Sequence, residues 1–375
     1  MVKDSNIQAF FELLKAGLWG DGNLDMRIDG TTDWNFIYQL AQEQSVQGVV
    51  LRGIEELRAK NIELIVTRVL LLQWIGEVQV IEQQNKDMNV FIADLIEKLQ
   101  KGDVYAILVK GQGVAQCYEK PLWRCSGDVD LLLRTDNYVK AKSVLDKIAD
   151  DAECETAKNA ERQHQEYQIK GWTVELHGTM HAGLSRRVDR VIDETQRDVF
   201  YGGNVRSWNN GNTTVFLPSP DNDVIFVFTH ILQHLFLEGI GLRQICDWCR
   251  LLYCYRDKLD LRVLESRIRR MGLMTEWKTL SSLAVDYLGM PIEAMPFYDA
   301  RYRNKGSRLM DFVLKVGNFG HNREVEWSNG FKRRTMLIWH RITDTVKLLR
   351  VFPVDAPKFL MNYVWDGVKG LLMKK

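Results

Sequence analysis

The stretch 104-VYAILVKGQGVAQCYEKPLWRCSGDVDLLL-133 sets the fold. An apolar run ends in Lys110-Gly111, a Gly-containing segment follows, and two acids then alternate with aliphatic residues, so the order reads strand, turn, short helix, strand. Side chains alternate faces along a strand, which puts Asp128 and Asp130 on one side with Cα atoms about 6 to 7 Å apart. Val129, Leu131 and Leu133 then face a core. Two carboxylates that close repel unless a positive charge neutralises them, and a hard divalent cation with oxygen ligands does this well. Asp-x-Asp alone also describes many solvated surface acids. Its surroundings are more specific. Gly127 precedes the acids, Arg124 lies just upstream, and Lys110-Gly111 offers a lysine and backbone N–H groups that suit a phosphate.

Lys110-Gly111, then a tyrosine and a proline, then Arg124-x-x-x-Asp128-Val129-Asp130-Leu131-Leu132 resembles the uncharacterised bacterial nucleotidyltransferase family of the DNA polymerase beta-like nucleotidyltransferase superfamily. That superfamily has a glycine pair after a strand, a helix, D-x-[DE] on the next strand and a third acid on a later one. Here Lys110-Gly111 stands where Gly-Gly or Gly-Ser is usual, and 16 residues separate Gly111 from Asp128. The uncharacterised family shows the same departure. The resemblance covers about residues 100 to 260.

A third acid can be sought by alternation. Tyr167–Lys170 and Gly171–His177 read as two strands around a glycine, with Glu175 and His177 on one face and Val174 and Leu176 on the other. Glu175 is the expected third ligand, although an exposed strand glutamate would look the same. His177 is expected as a hydrogen-bonded neighbour. The resemblance implies transfer of a nucleoside monophosphate from an NTP to a hydroxyl-bearing acceptor, with release of pyrophosphate. Asp128, Asp130 and Glu175 would hold two Mg²⁺ ions, or Mn²⁺ in their place, with Glu175 completing the ion that lowers the acceptor hydroxyl's pKa or acting on that hydroxyl directly as a base. Lys110, Gly111, Arg124 and Gly127 would bind the nucleotide. The competing expectation is a catalytically inactive or antitoxin-like nucleotide-binding module of the same fold.

Composition bounds the rest. The chain has 375 residues, 46% hydrophobic and 26% charged, with net charge +1. This fits a soluble globular protein of two or three lobes, and no global field points to nucleic acid. The charge is unevenly spread: from Arg256 onward 23 Lys and Arg face 13 Asp and Glu. Basic and aromatic residues mix there, at Lys332-Arg333-Arg334, Trp339, Phe352, Phe359, Tyr363, Trp365 and Lys374-Lys375, so an anionic partner is one option and a solvated basic face the other. Six cysteines without a leading apolar segment give no secretory or disulfide pattern, and a reducing cytoplasmic compartment is expected. The uncharged run Val224–Leu237 is too short to span a bilayer.

The expected fold class is α+β. A small mixed sheet of nucleotidyltransferase type with flanking helices (102–220) would lie between an N-terminal helical lobe (1–101) and a C-terminal helical lobe (221–375). Helices are expected after a Thr32/Asp33 cap, over Ile62–Gln100, over Tyr138–Ile148, over Asp221–Leu237 and over Gly239–Tyr255. A second hairpin is expected from Asn204–Trp208 and Thr213–Leu217 around Asn209-Asn210-Gly211. His230 and His234 share one helical face. With Cys246 and Cys249 they suggest a zinc site, or else His230, Arg243 and Asp247 form a polar seam beside the cleft.

Overall fold

The computed structural model describes residues 4–20, 28, 30–150, 164–237, 239–318 and 330–361, with the side chains of 330–338 outside that description. Tyr363, Trp365, Lys374, Lys375 and the side chains of Lys332, Arg333 and Arg334 therefore lie outside the described residues. Four helices lead into the sheet: α1 (Ser5–Trp19), α2 (Trp34–Glu43), α3 (Gln47–Ala59) and α4 (Arg68–Lys101). Asp33 caps α2 by accepting hydrogen bonds from the N–H groups of Asn35 and Phe36, as a helix N-terminus requires. The long α4 starts later than its leucine pattern suggests, because Thr67 caps it and accepts from the Leu70 N–H.

The sheet follows as β1 (Ala106–Val109), α5 (Gly111–Ala115), β2 (Val129–Leu133), α6 (Thr135–Leu145), β3 (His164–Ile169), β4 (Trp172–His177), α7 (Arg186–Tyr201), β5 (Val205–Asn210) and β6 (Thr213–Pro218). Its six strands run in the order β3-β4-β2-β1-β6-β5. Parallel pairs β2/β4 and β1/β6 alternate with antiparallel pairs, so the sheet is mixed and the fold is α+β. The β3–β4 turn is Lys170-Gly171, both with positive φ (52° and 79°), the twist a two-residue hairpin needs. In the β5–β6 hairpin Asn210 pairs with Thr213, so the turn is Gly211-Asn212, later than the expected Asn209-Asn210-Gly211. Gly211, at φ 61°, supplies the left-handed position there.

The C-terminal helices are α8 (Pro220–Leu237), α9 (Leu242–Cys254), α10 (Leu261–Met271), α11 (Met274–Leu288), α12 (Arg303–Val316) and α13 (Gly330–Leu348). One face of the sheet, through Leu108, Val129, Leu131, Leu133, Val174 and Leu176, packs on Phe91, Ile92, Leu95 and Leu99 of α4 and on Tyr138 and Ala141 of α6. Ile107, Val109 and Leu132 point to the other face. They join a core that continues from Ile7 in α1 to Phe359, drawing on all three expected segments of the chain. Among the described residues no helix is long and apolar enough to cross a membrane.

Candidate active site

The register of the central strands assembles the site. In the parallel β2/β4 pair Asp130 lies directly opposite Glu175, and Val129 opposite Val174. Paired residues share a face, so the acids gather on one side while the valines enter the α4-side core. Asp128 precedes β2 and points to the same side at the open rim. Asp130 and Glu175 therefore stand side by side, with Asp128 two residues before Asp130 and His177 two residues beyond Glu175.

Asp130 is only 7% exposed and His177 only 8%. Burial at that level demands partners. Lys110 Nζ lies 2.7 Å from Asp130 Oδ1, and His177 Nε2 lies 2.8 Å from the same oxygen. Sequence reasoning treated the two aspartates as an equivalent repelling pair; the structure separates them. Asp130 is paired with Lys110 and His177, whereas among the described residues Asp128 makes no ion pair and feels Lys110 only through its charge. Its desolvation, reinforced by the carboxylates of Glu175 and Asp130, pushes the Asp128 pKa up to about 6.

Glu175 behaves in the opposite way. Burial alone would raise its pKa, but contacts with the imidazoles of His164 at 3.3 Å and His177 at 3.2 Å, aided by the charge of Lys110, hold it well below the usual carboxylate range. Burial likewise would lower the His177 pKa, and its contacts with Asp130 and Glu175 raise it instead. Asp130 and Glu175 are therefore held by bases, and Asp128 is left short of positive charge. An oxygen-ligand divalent cation fits this donor set, since all three acids present carboxylate oxygens and the charge of Lys110 does not offset burial and the two neighbouring carboxylates at Asp128.

Lys110 reaches Asp130 from an unusual backbone position. At φ 59° and ψ −145° it occupies a region that favours glycine, at a strain on the order of 1–3 kcal/mol. This is the place where a glycine was expected from the superfamily pattern, and the ion pair to Asp130 helps hold a lysine there. Gly111 has φ 36°, and a Cβ on it would stand 3.4 Å from the Asp128 carbonyl oxygen. The strand-end turn and the loop before β2 thus touch.

Arg124 takes a different place from the one expected. Its Nε and Nη2 each donate to Asp247 at 2.7 Å, and Asp247 also accepts from the Tyr118 hydroxyl at 2.8 Å. A guanidinium committed to a buried bidentate pair is turned from any nucleotide. The expected seam of His230, Arg243 and Asp247 is corrected too. Arg243 Nη1 donates to the carbonyls of Cys125 and Ser126 at 3.0 and 3.1 Å, and its guanidinium packs beside Gly127. His230 instead stacks edge-on with His234, 4.3 Å between ring centres. Burial, then the charges of Lys110 and the neighbouring imidazoles, hold the His230 pKa well below its ordinary value. So Arg124, Asp247 and Arg243 position the 124–127 segment, and His230 borders the site from α8.

Four residues escaped the sequence reading. His164 faces Glu175, Glu166 pairs with Glu175 across β3/β4, and both follow from extending the Lys170-Gly171 hairpin register backward. Asn85 of α4 donates to the carbonyls of Leu122 and Arg124, each at 2.8 Å, and accepts from Gln112 Nε2 at 2.6 Å. No local pattern marks Asn85 or Gln112, because their partners are distant in sequence. The zinc alternative fails on placement: among the described residues no converging set of three metal-type ligands includes Cys246, Cys249, His230 or His234. Among the described residues the one set of three or more metal-type ligands that converges is His164, Glu175 and His177.

The sequence model of a family described as uncharacterised nucleotidyltransferase matches residues 30–289. The chain belongs to that family. No curated protein and no solved structure matches it. The match starts before α2 and ends just after α11, so the nucleotidyltransferase family unit includes helices on both sides of the sheet as well as Asp128, Asp130 and Glu175.

Proposed function

We propose that this nucleotidyltransferase transfers a nucleoside monophosphate from an NTP to a hydroxyl-bearing acceptor in a metal-dependent reaction. The acceptor oxygen forms a bond to the α-phosphorus, the bond from that phosphorus to the bridging oxygen breaks, and pyrophosphate leaves. The observation that carries the reading is the β2/β4 register, which sets Asp130 against Glu175 beside Asp128, within the family match.

Asp128, Asp130 and Glu175 would hold two Mg²⁺ ions, with Mn²⁺ able to replace them, and the pair would offset charge on the attacking and leaving oxygens. Lys110 is the cation nearest these acids and would exchange Asp130 for a phosphate oxygen, adding a donor to the leaving group. Glu175, held ionised by two imidazoles, is too weak a base to take the acceptor's proton efficiently and would serve as a metal ligand, the proton passing to water. Gly111 and Gly127 leave the rim without side chains where the triphosphate would approach. Arg124, in its pair with Asp247, acts by fixing the loop that carries Asp128.

The test supplies each NTP with Mg²⁺ or Mn²⁺ and candidate alcohols, sugars, peptides and RNA, and measures pyrophosphate. Release that Asp128→Asn abolishes supports the reading. NTP binding without release under every condition would favour the inactive nucleotide-binding module.

A further inference from the structure

The imidazoles beside Glu175 are not part of a carboxylate-only site. We propose that His164, Glu175 and His177 form a subsite for one divalent transition-metal ion of the Co²⁺ or Zn²⁺ class. Their ligand atoms all lie within 4.8 Å of one another, and both Nε2 atoms approach the same oxygen, Glu175 Oε2, at 3.3 Å and 3.2 Å. Ligand bonds of about 2.0–2.2 Å place neighbouring ligand atoms of a single ion about 3.0–3.5 Å apart, the spacing on both sides of that oxygen, while the set as a whole spans up to 4.8 Å and must draw in as an ion binds.

The strands enforce this convergence. His164 and His177 are register partners across β3/β4, so the short hairpin holds both side chains on one face, with ring centres 4.8 Å apart and planes tilted by 55°. Hydrogen bonding alone explains the arrangement less well. His177 Nε2 carries at most one proton, yet it faces Asp130 Oδ1 at 2.8 Å as well as Glu175 Oε2. One ion bound by two imidazoles and a carboxylate removes that conflict, and His177 can then pass Asp130 to Lys110 alone.

Imidazole ligands also decide which ion enters. Nitrogen donors suit Co²⁺ and Zn²⁺, whereas Mg²⁺ prefers oxygen and water. The subsite shares Glu175 with the proposed catalytic acids, and it rests on the nucleotidyl-transfer reading only for its consequence in turnover, a preference for Co²⁺ over Mg²⁺. Binding itself is read without nucleotide, so the two claims fail separately.

The experiment strips the full chain with a chelator and titrates it with Co²⁺, following the visible ligand-field absorption and the heat of binding. One Co²⁺ per chain is expected, not displaced by a tenfold excess of Mg²⁺ but displaced by Zn²⁺. His164→Ala should weaken Co²⁺ binding by more than about tenfold. His164→Gln, which keeps a hydrogen-bonding side chain for the strand, should weaken it equally, whereas Asp128→Asn should retain it. Equal Co²⁺ affinity in wild type and His164→Gln, or equal displacement by Mg²⁺ and Zn²⁺, would overturn the assignment whatever the transfer assay shows.

Discussion

Asp128 and Asp130 occupy the same motif yet should respond differently to loss of charge. In both Asp128→Asn and Asp130→Asn, turnover should fall below about a tenth of wild type, a barrier rise above about 1.4 kcal/mol. Stability separates them. Asp130→Asn leaves Lys110 and His177 without their carboxylate and should cost about 2–3 kcal/mol, less than a fully buried pair because Lys110 keeps some access to water. Urea denaturation with chelator present measures this; an unchanged midpoint would contradict the pairing. For Asp128 the sign reverses. Its pKa is raised from 3.8 to about 6, so the folded protein binds this proton more tightly than the unfolded chain. The contribution to stability is present below about pH 4, declines as pH rises toward 6, and stays lost above. Metal-free Asp128→Asn should therefore gain in melting temperature over wild type as pH rises through that window, with a constant gap beyond it. A gap that closes with rising pH would refute the electrostatic account. His177, whose raised pKa also favours the folded state at lower pH, is present in both proteins and cancels from the difference. The acids and Glu175 were legible from strand alternation. Lys110 on Asp130 was not, since no local pattern reports a contact that depends on a glycine-type φ at a lysine.

At the scale of elements, the loop before β2 is held from three sides. Asn85 of α4 donates to its carbonyls, Arg243 of α9 donates to Cys125 and Ser126, and α3 abuts it through Gly48. A Cβ on Gly48 would fall 2.0 Å from the Trp123 carbonyl oxygen, which no side-chain rotation can relieve. Gly48→Ala should cost about 3 kcal/mol and lower activity although it touches no acid. Gly76→Ala is its control: nothing lies within 4 Å of that position in α4, and removing a helical glycine should stabilise by about 0.5–1 kcal/mol with activity intact. Thermal melts with parallel assays distinguish these outcomes, and equal effects of the two changes would remove the argument for close approach. The hairpins and most helices were readable because turns and 3.6-residue patterns are local. Arg124 was misplaced for the converse reason: its partner Asp247 lies 123 residues away on α9.

Across the whole molecule, the sheet depends on helices from both ends of the chain. The apolar side of β2 and β4 is covered by α4, and the other side joins a core reaching α1 and α11. Polar ties reinforce this: Trp19 Nε1 donates to the Leu288 carbonyl at 2.6 Å, and the Leu242 N–H donates to Gln44 Oε1 at 3.0 Å. The segment 102–220 alone should therefore lack a cooperative melt and dispersed amide NMR signals, because its sheet would expose Leu131, Val174 and Leu176 to water. A folded, cooperatively melting fragment would show that the helical segments are accessories. The helical character of both flanks was visible in the sequence. Their joining into one core was not, nor was the strand order, because both depend on pairings between distant segments such as β1 with β6.

The central claim, nucleotidyl transfer by the acids gathered at β2 and β4, is tested most directly by following the two ends of the triphosphate at once. Wild-type chain is incubated with divalent metal, a panel of acceptors and NTPs labelled in the α- or the γ-phosphate, beside Asp130→Asn. The account predicts that α-label moves to an acceptor, γ-label appears only in pyrophosphate, and both signals vanish in the variant. Transfer of the γ-label to an acceptor, or α-label transfer that survives in Asp130→Asn, would contradict it.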